Sequence, residues 1–198
     1  MRLAQAFLFA TSLVSTAVST AHAVPSPANS TVDPCLIICP RGDFTFHVVV
    51  RDGTNTPVGG SAVVIDFCPF ASLHLCFPLT GCTIQGITNA SGSVSFAIEG
   101  GGVTPPAGQV TVRADGVQLA SRPVASPDQD GSLIVDGTDF SIANGKLGNA
   151  DPTADLDCDQ GGVDAADLTA LQAHFGHTCG GPTSNGTRTW GRVKTIYR

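Results

Sequence analysis

The sequence predicts a mostly β chain: an antiparallel sandwich followed by a small all-α domain of two loop–helix units. Three observations carry this. Short stretches of alternating apolar and polar residues recur between Gly- and Pro-rich turns from residue 44 to residue 120. A pattern of aspartates returns after 28 residues, so that Val135-Asp136-Gly-Thr-Asp139-Phe140 aligns with Val163-Asp164-Ala-Ala-Asp167-Leu168. Seven cysteines and 23 glycines sit in a chain that is only 13% charged, a composition that suits disulfides, strands and turns.

Residues 1–23 read as a secretory signal peptide. Arg2 is the short basic head. Leu3 to Val18 is mostly apolar but too short to span a bilayer. Ala21-His-Ala23 is a small-x-small cleavage site, so Val24 is expected first in the mature chain. No other apolar run has the length of a membrane helix. The protein is therefore expected to be secreted or at the cell surface. Residues 24–40 form a linker or N-terminal segment, rich in Pro, Ser and Asn as far as Asp33.

The β domain covers residues 41–125. Phe44, Phe46, Val48 and Val50 fall on one face of the first strand. Ala62-Val-Val-Ile-Asp-Phe67 follows a turn at Pro57-Val58-Gly59-Gly60. Val94, Phe96 and Ile98 alternate inward in the next. Gln109 to Arg113 and Val117 to Ala120 flank the turn Ala114-Asp-Gly116. Cys68 to Cys82 is longer and more apolar than an ordinary connection, with Phe70, Leu73, Leu75 and Phe77. It reads as a disulfide-pinned loop over one end of the sandwich, or else as a binding loop. Cys35 and Cys39 are expected to join this network, and the odd count leaves one cysteine unpaired or intermolecular. On Val48-Val-Val-Arg-Asp52, Pro57-Val-Gly-Gly-Ser-Ala-Val63, Thr88-Asn-Ala-Ser-Gly-Ser-Val94 and Val110-Thr-Val112, the domain resembles bacterial Ig-like and carboxypeptidase-regulatory-like modules. That resemblance implies an Ig-like sandwich acting as spacer, stalk or adhesive unit.

Residues 126–179 hold ten aspartates and one base, Lys146, for a net charge of −9. Packed carboxylates repel one another, and a bound cation removes the repulsion. The spacing suits calcium, which takes several hard oxygen donors around one point. In the first loop the expected ligands are Asp128, Asp130, Ser132, the Ile134 carbonyl, Asp136 and Asp139. In the second they are Asp155, Asp157, Asp159, Asp164 and Asp167. The second loop holds thirteen positions, one more than the first, which leaves its carbonyl ligand at Gln160 or Gly162. Asp136 and Asp164 are expected to N-cap the following helices, with Asp139 and Asp167 at the third helical position.

Two such loop–helix units in tandem resemble a dockerin, a calcium-dependent docking module of secreted bacterial proteins. The resemblance implies a fold stabilised by Ca2+ and a cohesin-like protein partner. It also implies recognition through loop positions 10 and 11, here Gly137-Thr138 and Ala165-Ala166, the second pair without a hydroxyl. Residues 180–198 are a flexible spacer and a basic end, Thr189 to Arg198, with the sole Trp and Tyr and a net charge of +4. This tail suits a disordered end, a docking or anchoring peptide, or self-docking on the acidic repeats.

No catalytic constellation emerges. A Ser or Cys nucleophile needs a base and an orienting group, and no such motif is present. Glu99 is the sole glutamate and most aspartates are committed to loops, which disfavours a paired-carboxylate hydrolase. No Gly-rich phosphate loop leads from a strand into a helix. The acidic repeats disfavour nucleic acid. His174 and His177, with Cys158, offer zinc-type ligands, but a Cys158–Cys179 disulfide accounts for those cysteines more simply. The expected function is non-catalytic: calcium-dependent attachment of the sandwich to a secreted or surface protein. The alternative is a carbohydrate-binding or accessory protein of a polysaccharide-degrading system.

Overall fold

The computed structural model describes residues 23–68, 74–77, 82–102 and 109–180. Residues 1–22 of the expected leader, Phe70 and Leu73 of the cysteine loop, and the tail from residue 181 lie outside these. In chain order the elements are β1 (Thr31–Val32), β2 (Leu36–Ile37), β3 (Phe46–Val49), β4 (Ala62–Asp66), β5 (His74–Leu75), β6 (Thr83–Ile87) and β7 (Ser93–Phe96). Then come β8 (Gly100–Gly101), β9 (Val110–Ala114), β10 (Val117–Arg122), β11 (Val124–Ala125), α1 (Gly137–Gly145) and α2 (Ala165–Ala173). The described chain is thus mostly β, with two short helices.

Two antiparallel sheets, β1-β3-β7 and β10-β9-β4-β6, hold the first core. Alternation decides which side chains enter it. Phe46, Val48, Val50 and Phe96 from one sheet meet Val63, Ile65, Val110 and Val112 from the other, all buried. Each such side chain contributes about 1.5–3 kcal/mol when fully buried. Phe44 departs from the expected face and packs on the second core instead.

The segment expected as a linker is woven into the sheets. Its β1 pairs with β3, Thr31 opposite Val49, and Pro25 bridges to Asp52. Then β2 runs parallel to β11. The polar composition marked only the turn near Pro27. Val32, Leu36 and Ile38 carry the apolar surface that draws the chain inward, and all three are buried.

The second core gathers Cys39, Ala125, Val135, Ala143, Leu156, Val163 and Leu171, with Ile37 and Phe44 against it. Residues 37–44 therefore pack on the loop–helix units. Disulfides reinforce the join: Cys35–Cys158 and Cys76–Cys179 both tie the β region to the repeats, and Cys68–Cys82 closes the apolar loop. Cys39 is the free cysteine, and it is buried.

The expected Cys158–Cys179 bond is thus corrected. Its failure follows from how the two units interlock. The Val135 N–H donates to the His177 carbonyl, and Gly176 N–H donates back to Val135. The Val163 N–H donates to Asn149, and Gly148 N–H donates back to Val163. Each loop pairs with the chain leaving the other helix, so the partners repeat with the same 28-residue offset as the sequence. Thr178 bridges to Ile134, which carries Cys179 toward the first loop and away from Cys158.

Candidate metal centres

Both helices begin as their sequences require. Asp136 N-caps α1 by accepting from the Thr138 N–H, and Asp139 reaches back to the Asp136 N–H. Asp164 and Asp167 repeat the arrangement at α2. Such capping boxes satisfy backbone donors that a helix start leaves unpaired. They also fix Asp139 and Asp167 at the positive end of a helix, each facing its own loop.

In the first loop Asp128, Asp130 and Asp139 converge, with one carboxylate oxygen of each within 4.8 Å of the others. In the second, Asp155, Asp157 and Asp167 do the same. Asp128, Asp139, Asp155 and Asp167 are buried, while Asp130 and Asp157 are not. Backbone amides curl around the first aspartate of each loop. Asp128 accepts from Gly131 and Leu133, and Asp155 accepts from Gln160. Leu133 and Gln160 both take positive φ, 64° and 63°, to make this turn.

The remaining expected ligands stand differently. Asp136 and Asp164 lie outside the convergent trios and serve as caps. Asp159 also lies outside, its carboxylate accepting from Gly161. Ser132 donates its hydroxyl to the Ile134 carbonyl, and its backbone N–H donates to the first trio's Asp130. The loops keep one register as far as Leu133 and Gln160, and the inter-repeat pairing restores it at Val135 and Val163. The extra residue therefore falls in Gly161-Gly162, and Gly162 stands where Ile134 does.

The donors are hard oxygens, the type calcium takes. One of them is orphaned: Asp155 Oδ1 is buried without a hydrogen-bond partner. Burial pushes the Asp128 carboxyl up to about 6, with the Asp139 charge adding to it. Burial also raises Asp139 and Asp155. Asp130 instead is held below its usual range, chiefly by the Ser132 amide. Buried, crowded carboxylates of this kind are costly to keep ionised unless a cation joins them.

Two supports escaped the sequence reading. Lys146 donates to Gln129 Oε1 and Thr153 Oγ1, both at 2.7 Å, and pairs with Asp151 at 3.1 Å. It thereby clamps the segments that enter the two loops. Its isolation as the one base among ten acids was a signal for this. The second support is β8. A Cβ on Gly101 would stand 1.9 Å from Asp128 Oδ2, so only glycine lets the strand lie against the first loop. Gly102 N–H donates to the Asp128 carbonyl at 2.8 Å. Nothing local in the sequence links glycines 100–102 to an aspartate 27 positions on.

Among the described residues no helix is long and apolar enough to cross a membrane. No family model matches this chain, and no match was found among curated proteins or solved structures.

Proposed function

We propose that this is an exported, non-catalytic attachment protein whose tandem repeats fold around calcium, dockerin-like, and dock an Ig-like β region onto a secreted or surface protein. The observation that carries the reading is the pair of matched carboxylate trios, each completed by an aspartate from a helix's first turn. Asp128, Asp130 and Asp139 would hold one ion, and Asp155, Asp157 and Asp167 the other. The ion supplies charge neutralisation, without which the stretch carries a net −9. Three disulfides agree with an oxidising compartment outside the cytosol.

The partner-facing surface follows from the same symmetry. Gly137-Thr138 and Ala165-Ala166 are exposed at the helix starts. Leu147 and Phe175, 28 positions apart, are exposed beyond the helix ends. Exposed apolar side chains at repeated positions suit a protein partner with a hydrophobic interface. A protein receptor is therefore favoured over a polysaccharide, for which a row of exposed aromatics would be the mark.

The test uses the full mature chain, immobilised, against secreted and surface proteins and separately against insoluble polysaccharides. Capture of a protein in calcium, lost in chelator and in the Asp139→Ala, Asp167→Ala double variant, is expected. Capture that survives in that variant with the repeats unfolded moves binding to the β region. Retention on polysaccharide alone moves the protein to the carbohydrate-binding class.

A further inference from the structure

We propose that Cys39, Asp43, His174 and His177 form a zinc site, separate from the two all-oxygen centres. One ligand atom of each lies within 4.8 Å of the others. His174 Nδ1 and His177 Nδ1 are 3.3 Å apart. Asp43 Oδ2 is 3.2 Å from each of those nitrogens. Cys39 Sγ is 3.6 Å from His177 Nδ1. Zinc bonds of about 2.0–2.1 Å to nitrogen or oxygen and about 2.3 Å to sulfur put tetrahedral donors roughly 3.3–3.6 Å apart. Four of the six donor pairs thus stand close to the spacing of such a shell, and the other two lie within 4.8 Å.

Donor chemistry selects the metal. A thiolate and two imidazoles are soft to intermediate ligands, which favour zinc over calcium. Four protein ligands close the shell, the mark of a structural site. The two Nδ1 atoms, 3.3 Å apart, share one Asp43 oxygen. If both imidazoles donate to the one Asp43 oxygen, two N–H dipoles of the same sign stand side by side. A cation turns that repulsion into coordination.

The fold builds the cluster from two distant segments. Cys39 bridges to Glu99, and its carbonyl accepts from Gly42 and Gly100. Gly42 takes φ +67°, which turns the chain so that Asp43 returns to Cys39. A Cβ there would stand 2.7 Å from Glu99 Cγ. At the other end His174 caps α2 and packs on Phe44, ring centres 4.5 Å apart. His177 follows through a tight turn at Gly176, and its carbonyl holds the first calcium loop through Val135. A zinc ion here would fasten the N-terminal turn to the last helix. It also gives the odd cysteine a role that pairing does not.

The test uses the full mature chain, stripped of metal and then saturated with calcium so that the oxygen centres are filled. Zinc is added, free metal is dialysed away, and bound zinc is measured. One equivalent of zinc is expected to remain. Cobalt in its place should give a thiolate-to-metal charge-transfer band and the visible spectrum of a tetrahedral ion. Cys39→Ser should abolish the band and weaken zinc at least tenfold, in the range seen when a metal site is disturbed. Should Cys39→Ser fail to fold by circular dichroism, His177→Gln and Asp43→Asn are read instead, with zinc affinity expected to fall at least tenfold. No retained zinc, a cobalt spectrum without the thiolate band, or unchanged affinity in the folded variants would each overturn the assignment. Calcium binding is read separately, so loss of this site leaves the oxygen centres to be judged on their own.

Discussion

Replacing Gly101 with alanine puts a methyl group 1.9 Å from Asp128 Oδ2, against an ordinary contact of 3.4–4 Å. Both partners are buried. Strand β8 is held by β5 and by the Gly102–Asp128 hydrogen bond, so it cannot simply swing away. The carboxylate must therefore retreat by about 1.5 Å, while metal–ligand distances tolerate only about 0.2 Å. The proposed first centre would lose a charged ligand, and calcium affinity there should drop by at least about tenfold. Overpacking adds about 1–3 kcal/mol of destabilisation. The second centre is built on other residues, Asp155, Asp157 and Asp167, and should keep its affinity. Calorimetric titration of the full mature chain with calcium separates the two. Gly53→Ala, where an added Cβ meets nothing within 4 Å, is the control. Two sites of unchanged affinity in Gly101→Ala would refute the placement of β8 on the first loop, or Asp128 as a ligand.

Further outcomes follow from the same geometry. Asp139→Asn and Asp167→Asn each weaken a capping box and would each remove a proposed ligand charge; helical circular dichroism in calcium should fall toward the chelated value, and an unchanged calcium response would contradict this. Burial pushes the Asp128 carboxyl up to about 6 in the fold against about 3.9 unfolded, so its protonation stabilises the metal-free protein fully below about 3.9 and that help is lost as pH rises through about 6. Calcium needs the ionised form, so first-centre affinity should fall by up to about tenfold per unit below about pH 6, and a flat profile down to about pH 5 would count against Asp128. Lys146→Met leaves Gln129 Oε1 and Asp151 without their shared donor; with the Lys146 and Asp151 side chains only 20% and 17% exposed and Gln129 buried, the loss should be about 1–3 kcal/mol in urea unfolding. Non-reducing peptide mapping should recover Cys35–Cys158 and Cys76–Cys179, and a Cys158–Cys179 peptide would overturn the interlock of the repeats.

What the sequence disclosed was mostly local. Alternation placed Phe46, Val48, Val50, Phe96 and Ile98 inside because a strand side chain's direction depends only on its position. The capping boxes were legible because helix starts are built from residues three apart. The disulfide partners were not legible, because Cys179 is delivered by the pairing of Thr178 with Ile134, a contact spanning the whole module. The link between His174, His177 and Cys39 was hidden for the same reason: 138 residues separate Cys39 from His177. The role of residues 24–40 was obscured by turn-rich composition around a few buried apolar positions. An extra residue in the second loop blurred its register until Val163 found Asn149.

The crossed pairing of the repeats also sets an order of events. Val135 meets its backbone partner only at Gly176 and His177, and Cys76 meets its sulfur only at Cys179. A chain emerging from its N-terminus can therefore seal neither the first loop nor the β region's outer bridge until the last helix has appeared. Contacts of such long span are slow to close, because chain entropy is spent before they form. A product truncated within α2 would leave two half-built repeats and an unpaired Cys76. The closing segment works as a latch for the first loop and for Cys76, so a protease or assembly factor that tells finished from unfinished chains would need to sense only residues 176–179.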